Sequence, residues 1–523
     1  MRLPLTSPTD QVSDPTSLDN RETSVSMPSE SGVSASPASG GATVPTRREI
    51  RLAGGSLNLR RVAFIGLAYF ALAPVIYLNM GFIESDAGGP VMPLVFLLIT
   101  VAIIPTAISF AVMNGRRPSA GSAFTWLWES TRPGVGLWLG WMMATAYVVV
   151  AALYPLAFAV FFNAFLQFFG IQTSSWTGDA GGLLAIAVAA YMARSNIRLG
   201  ARMIGILMLF EAAFVAVVAI VIVARGGYLG HFSATPFNPA AAKAGFSGLG
   251  LALVFAFMSI AGVDSIAPVA EESQTPSRMI PLATILITVI AGLFWTLTSY
   301  GFAIAVPAHV VQSYVNAGQV TPVYPIAQKY VGALAILVPI TGFTAAIASF
   351  GASIYAASRL LYAVAREGFG PARLARVDQK TKGPWTAELA TILISTVALL
   401  FFSWWQNGPS NAYGYLGEVF VFFVLVCYLA ANVANIVYHL RYKRAEFRWL
   451  VNGIVPVLGI VIDGYILYQG FFVAELGLPF KTGSSIVWFS MAWAVVGIGW
   501  AIRWARKRDL RSVSLTRLDA DAA

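Results

Sequence analysis

Long apolar runs alternate with short polar segments along this 523-residue chain, and twelve such runs begin near Val62, Val91, Val135, Gly181, Ala201, Gly248, Ile280, Ala333, Leu389, Tyr415, Leu450 and Ile486. A hydrocarbon layer ~30 Å thick is crossed by about 20 apolar residues in an α-helix. Each run is therefore predicted to be one transmembrane span. The stretches Val135–Phe169 and Ala333–Ala365 exceed one bilayer thickness and are read as single long, tilted helices; splitting either would invert every later loop. Gly and Pro recur inside the runs, where neighbouring helices can satisfy the backbone groups they free, so each marks a candidate break.

The polar segments carry a second pattern. Lys and Arg accumulate on the cytoplasmic side of membrane proteins, and with the amino terminus inside, all but four of the 34 Lys and Arg fall in cytoplasmic segments. The four are Arg225, Lys243, Lys329 and Lys481. Both termini are predicted to be cytoplasmic, in a plasma (inner) membrane. Residues 1–60 are rich in Ser, Thr, Pro and Gly and lack a run long enough for a signal peptide, which predicts a disordered tail; residues 61–506 form the twelve-span domain, and 507–523 a second cytoplasmic tail.

Composition narrows the chemistry. With 57% hydrophobic and 11% charged residues, the chain uses lipid as its solvent. The formal charge of +10 is spread over many loops rather than one face, so it reports topology and not nucleic acid. One cysteine, Cys427, excludes an internal disulfide, and His231, His309 and His439 lie far apart without zinc spacing. No metal site, cofactor or nucleophile–base arrangement is expected, and hence no enzyme.

Three stretches carry a family resemblance. The first is GLAYFALAPVIYLNMG, Gly66–Gly81, followed by PSAGSAFTWL, Pro118–Leu127, and GLWLGW, Gly136–Trp141. The second is FMSIAGVDSIAPVAEESQTPSRMIP, Phe257–Pro281, and the third SRLLYAVAREGFGPARLARV, Ser358–Val377. In this order and spacing they resemble the amino acid–polyamine–organocation permeases, and most the branch with putrescine importers. The resemblance implies two inverted repeats of five helices plus two extra helices, with spans one and six broken. It also implies a secondary transporter that imports an amino acid or related amine by alternating access, with coupling to H+ or Na+ favoured and substrate/product exchange as the alternative.

The residues supply physical grounds for those breaks. Pro74 removes a backbone donor and obstructs the preceding turn, so carbonyls near Tyr69 and Phe70 lose partners. Gly262 sits between apolar turns, and Asp264 would lie at membrane depth. At a break, free N–H groups of a new helix start suit a substrate carboxylate, with Pro74, Val75 and Ile76 as the candidate backbone. A proline kink in a packed helix is the alternative. Many relatives have a Gly-Ser-Gly-rich run where this chain has Ala71-Leu72-Ala73-Pro74, which gives a bulkier approach.

Asp264, with Ala261 and Gly262, is the candidate for the substrate amine, because an intramembrane carboxylate needs a cationic or hydrogen-bonding partner; the alternative is a cap on the second half-helix. Tyr147 and Phe257 are candidate aromatic walls for an ammonium group, against ordinary packing. Glu211 lies in MLFEAAFVAVVAIVIV without Lys or Arg on adjacent turns. That position suits a group that binds and releases a proton, or a neutral carboxyl bonded to a neighbouring helix. Ser349 and Ser353, one turn apart, would offer hydroxyls to Na+, or merely let helices approach closely. Glu271 and Glu272 are expected to form salt bridges at the inner gate, and Asp463 is assigned no role.

A polyamine is the second substrate class. A dication wants two separated carboxylates, and only Asp264 stands in the expected cavity, which favours a single ammonium group. A membrane sensor that binds without transporting is a further class, and a short basic tail with no signalling domain argues against it. The oligomeric state is left open.

Overall fold

The computed structural model describes residues 52, 54–193, 197–316 and 322–507; the predicted tails fall outside these apart from 52, 54–60 and 507. The regular secondary structure among the described residues is helical, apart from one isolated parallel bridge in which Leu57 N–H donates to Glu272 O (2.9 Å) and Gln274 N–H to Leu57 O (3.0 Å). Leu57 is fully buried, so the segment leading into the first helix is packed.

In chain order the helices are α1 (Leu59–Tyr69), α2 (Leu72–Ala87), α3 (Met92–Arg116), α4 (Ala123–Ser130), α5 (Pro133–Phe168), α6 (Ser175–Ala193), α7 (Ile197–Ala224) and α8 (Gly245–Ile260). They continue as α9 (Pro276–Ala303), α10 (Ala308–Asn316), α11 (Val323–Val331), α12 (Leu337–Arg366), α13 (Trp385–Trp405), α14 (Pro409–Tyr442), α15 (Val455–Leu467) and α16 (Ser485–Lys507). Ten helical stretches among the described residues are long and apolar enough to cross a membrane, counting α1 with α2 as one, α11 with α12 as one, and Trp449–Gly477 around α15 as one. Two of the predicted run starts, near Gly181 and Gly248, correspond instead to α6 and the short α8, which are not among those ten. Of the predicted stretch, Val135–Phe168 lies in one 36-residue helix, α5, as its length predicted, and Phe169 caps it.

The burial pattern follows from lipid as solvent. The α1–α2 stretch is the most enclosed, 89% of its apolar window being buried, whereas only 33% of the α7 window and 28% of the Trp449–Gly477 window are. The first predicted span is therefore the one least exposed to lipid among these stretches. Without a hydrophobic drive between helices in lipid, close packing of small residues brings them together. Gly292 of α9 shows this against α3, since a Cβ there would meet the Thr100 side chain at 2.2 Å.

Both predicted breaks are present. Helix α1 ends at Tyr69, and the chain turns through Ala71 in the left-handed region (φ 54°, ψ 64°) before α2 starts at Leu72. The break thus lies at Phe70–Ala71, a few residues ahead of Pro74. The reason is the proline ring, which clashes with the carbonyl four residues earlier, that of Phe70. Pro74 itself sits in the first turn of α2, where a missing N–H costs nothing. The second break follows α8: residues 261–266 are irregular, and a short 3₁₀ helix, Ala267–Glu272, resumes the path.

Candidate functional site

Backbone groups released by the two breaks find partners from other helices. The Tyr69 carbonyl accepts the Tyr154 hydroxyl of α5, and the Leu72 carbonyl accepts Trp295 Nε1–H of α9 at 3.1 Å. The Val75 N–H is already bonded to Ala71 O (3.1 Å). Free donors at the start of α2 are therefore those of Leu72 and Ala73, one turn earlier than the predicted Pro74, Val75 and Ile76, because the break itself lies earlier.

Across from α2, Gly262 lies against the Tyr69 ring so closely that a Cβ would come within 2.8 Å of Cδ1. Its N–H donates to the Tyr428 hydroxyl at 2.8 Å. That hydroxyl in turn donates to Asp264 Oδ1 at 2.8 Å, and the Tyr147 hydroxyl donates to Asp264 Oδ2. Asp264, Tyr147 and Tyr428 are all at most 1% exposed. The carboxylate is thus held between phenols of α5 and α14 rather than by N–H groups of the turn that follows it. Phe257, one turn before the end of α8, places its ring 6.0 Å from that of Tyr428, so it backs the phenol.

Beside these groups is a cavity of about 20 Å³, lined by Tyr69, Ala71, Val75, Asn79, Ser259 and Ala261 among others. That is room for one water molecule. Asn79 Nδ2–H donates to Ser259 Oγ (2.9 Å), which ties α2 to α8 at its edge. Of the predicted substrate-binding residues, Val75 and Ala261 line this cavity; Pro74, Ile76, Tyr147, Phe257, Gly262 and Asp264 do not.

Glu211 of α7 is fully buried, and neither carboxyl oxygen has a hydrogen-bond partner. It lies near the phenols of Tyr77 and Tyr154. Tyr77 exchanges a hydrogen bond with Thr341 Oγ1 of α12 (2.9 Å), and Tyr154 touches both Ser353 and the broken backbone at Tyr69. Tyr154 is thus a neighbour of Glu211 as well as the partner of the broken backbone at Tyr69. Ser349 and Ser353 are fully buried; the Ser349 hydroxyl makes no hydrogen bond, and the Ser353 hydroxyl lies against the Tyr154 phenol. Among the described residues no group of three or more His, Cys, Asp and Glu side chains could hold a metal ion.

A model of amino acid permeases matches residues 57–501. The chain belongs to this family. Its relatives include the branched-chain amino acid permease BcaP of Lactococcus lactis, 24% identical over 78% of this chain and 88% of that one. They also include the low-affinity putrescine importer PlaP of Escherichia coli, 27% identical over 66% and 74%, and a methylthioribose transporter of Bacillus subtilis, 21% identical over 83% and 90%. Among solved structures, a manganese transporter of Eremococcus coleocola covers 87% of this chain and 96% of its own at a TM-score of 0.50 and 12% identity, a likeness of fold. The chain is accordingly a multi-pass membrane transporter of the amino acid–polyamine–organocation superfamily, and not an enzyme.

In this permease the end of the second broken span is tied to neighbouring segments by buried charge. Arg359 of α12, 1% exposed, donates from Nε to Glu272 Oε2 (3.0 Å) and from Nη1 to Glu388 Oε1 of α13 (2.8 Å). Arg366 pairs with Glu271 through both Nη atoms at 2.9 Å, and Glu271 also accepts the Ala120 N–H at 3.0 Å. Glu271 and Glu272 therefore bind the end of the second broken span to three other segments.

Two further arrangements had no distinctive mark in the sequence. Tyr428, Asn432, Asn435 and His439 lie on one face of α14, at spacings of four, three and four. Asn432 Nδ2–H donates to Asp463 Oδ2 (3.1 Å), which also accepts the Thr106 hydroxyl (2.8 Å). Asp463 thus clasps the Trp449–Gly477 stretch to α3 and α14. Asn435 Nδ2–H reaches Ser109 Oγ (3.3 Å), while Asn452 Nδ2–H donates to Asn435 Oδ1 (2.9 Å).

Proposed function

We propose that this permease is a secondary active transporter that imports an amino acid or related amine across the plasma membrane by alternating access, with both termini cytoplasmic. Its twelve spans divide into two inverted five-helix repeats, each opened by a broken span: α1–α2 in the first and α8 with Ala267–Glu272 in the second. The stretch around α15 and the helix α16 are the two additional spans. A site at the meeting of two broken helices is the arrangement by which transporters of this architecture hold substrate at mid-membrane.

The observation that carries this reading is Asp264, a fully buried carboxylate with no ion pair among the described residues, held by two hydroxyls where the breaks meet. In a substrate-bound state an ammonium group takes the place of one phenol on Asp264, and the N–H groups of Leu72 and Ala73 face the carboxylate. The small cavity and the charge-locked basic end correspond to a closed state. Opening toward either side requires Tyr147 and Tyr428 to part from Asp264, or Arg359 and Arg366 to part from Glu272, Glu388 and Glu271. Coupling is by protons through Glu211, which reaches the break through Tyr154, with Na+ at Ser349 and Ser353 as the other candidate.

The test uses purified protein in liposomes with labelled branched-chain, cationic and other amino acids and putrescine, under imposed pH or sodium gradients. Gradient-dependent accumulation of an amino acid supports the reading. Preference for putrescine moves the substrate to a diamine, as for the importer of Escherichia coli. Flux that requires trapped internal substrate indicates exchange, and binding without flux in any condition overturns transport. Asp264→Asn is expected to weaken uptake of amine-bearing substrates at least tenfold through KM; unchanged kinetics would remove Asp264 from the site.

A further inference from the structure

A second cavity lies away from the broken helices. It has a volume of about 760 Å³ and is built where α3 and α14 end and the loop Lys443–Arg448 leads into the next span. That size suits a headgroup-sized ligand. Its polar lining comprises Arg116, Arg448, Glu446, His439 and Asn452, while Val112, Phe447 and Val451 contribute an apolar wall.

Charge around the cavity is unbalanced. Glu446 is paired with Arg116 and with Lys443 Nζ at 2.9 Å. Its hydrogen bond from Lys443 holds the carboxyl below the usual carboxylate range, so it stays ionised at neutral pH. One carboxylate therefore faces three cations, Arg116, Lys443 and Arg448. Arg448 has no ion pair among the described residues, although its backbone N–H is tied to Asn452 Oδ1 (3.0 Å). An arginine held in place at its backbone, with a free guanidinium aimed at a cavity, is suited to a phosphate, whose oxygens it can bridge in pairs.

The depth of the cavity points to lipid. Tyr442 and Trp449 flank the loop, and both are more than half exposed, with Leu450 exposed beside them. Tyr and Trp concentrate at the level of the headgroups. At that level an apolar wall below and arginines above match a glycerophosphate joined to acyl chains, and basic pockets between spans on the cytoplasmic side take anionic headgroups. The floor of the cavity, His439 and Asn452, continues into the polar face of α14 that ends at Tyr428 and Asp264.

We infer that this cavity binds the phosphate of an anionic glycerophospholipid, gripped by Arg116 and Arg448 at the basic end of the bundle. The choice of the cytoplasmic leaflet rests on the orientation proposed above; the binding itself does not.

The experiment is native mass spectrometry of the full chain, with titration of phosphatidylglycerol into nanodiscs of phosphatidylcholine, which expose both faces. The wild type is expected to retain one phosphatidylglycerol in preference to phosphatidylcholine. Arg448→Gln, which breaks no ion pair, and Arg116→Ala with Arg448→Ala are expected to weaken it by roughly tenfold or more. Arg503→Ala, a basic residue of α16 outside the cavity, should leave binding unchanged. Equal retention by wild type and Arg448→Gln, or an equal loss in Arg503→Ala, overturns the site in favour of diffuse attraction to a basic face. Displacement of the lipid by equimolar glycerol 3-phosphate or inorganic phosphate overturns the lipid assignment and makes the ligand a soluble phosphate. Orientation is read separately, by cysteine labelling from each side, so a failure of binding and a failure of the transport topology are distinguishable.

Discussion

Tyr428 Oη accepts the Gly262 N–H and donates to Asp264 Oδ1, each at 2.8 Å, so a single hydroxyl on α14 satisfies both the backbone and the side chain of the second break. Such a hydroxyl is a latch: while it is in place the irregular segment 261–266 is held in one shape, and a group that competes for Asp264 releases the backbone as well.

Tyr428→Phe leaves a carboxylate oxygen and an N–H without a partner inside the bundle, at about 1–3 kcal/mol for each group. The expected outcome is a lower melting temperature in detergent together with loss of uptake. Tyr428→Phe combined with Asp264→Asn should destabilise by less than the sum of the two single changes. Full additivity would mean that the two side chains act independently.

Ala71 takes a left-handed conformation that costs a residue with a Cβ about 1–2 kcal/mol. Ala71→Gly removes that strain and is expected to keep uptake. Ala71→Val adds branching at a positive φ and bulk beside the one-water cavity, so it should lower both melting temperature and uptake. Wild-type behaviour of Ala71→Val, by thermal melt and transport assay, would show that the break is straightened at little cost.

Glu211→Gln keeps the shape of a buried side chain while removing its titration. Under the proton-coupling proposal it abolishes accumulation driven by a pH gradient and spares exchange of labelled for unlabelled substrate. Accumulation that survives in Glu211→Gln and fails in Ser349→Ala with Ser353→Ala, measured with a sodium gradient, moves coupling to Na+.

Arg359→Ala strands Glu272 and Glu388 as unpaired buried carboxylates, a change of about 3–5 kcal/mol for a broken buried pair. A marked fall in melting temperature is expected, along with faster labelling of cysteines introduced at the basic end, since the closed arrangement there is the one that loses its ties. Arg359→Ala with Glu272→Gln and Glu388→Gln should recover part of the stability. If melting and labelling are both unchanged in the single variant, these charges do not hold that end shut.

The features that could be read in the chain are those that act locally. A run of 20 apolar residues is a span whatever surrounds it, a proline blocks the carbonyl four residues before it, and a carboxylate within an apolar run needs a partner. Hence the long helix α5, the breaks near Pro74 and at Gly262, and the burial of Asp264 and Glu211 were all legible. The partners of the freed backbone were not, because the Tyr69 and Leu72 carbonyls are captured by Tyr154 and Trp295 from helices 85 and 223 positions away.

The identity of the partners belonged to tertiary structure alone. Aromatic residues make up 13% of the chain, so nothing marked Tyr428 as the second phenol, beside Tyr147, that meets Asp264 across 164 positions; the same holds for Asp463 with Thr106 and for Arg359 with Glu272. Sequence determined which polar groups must be buried, because their neighbours along the chain are apolar. Packing decided what satisfies them, because in lipid a buried polar group takes whichever donor or acceptor a neighbouring helix presents at its depth.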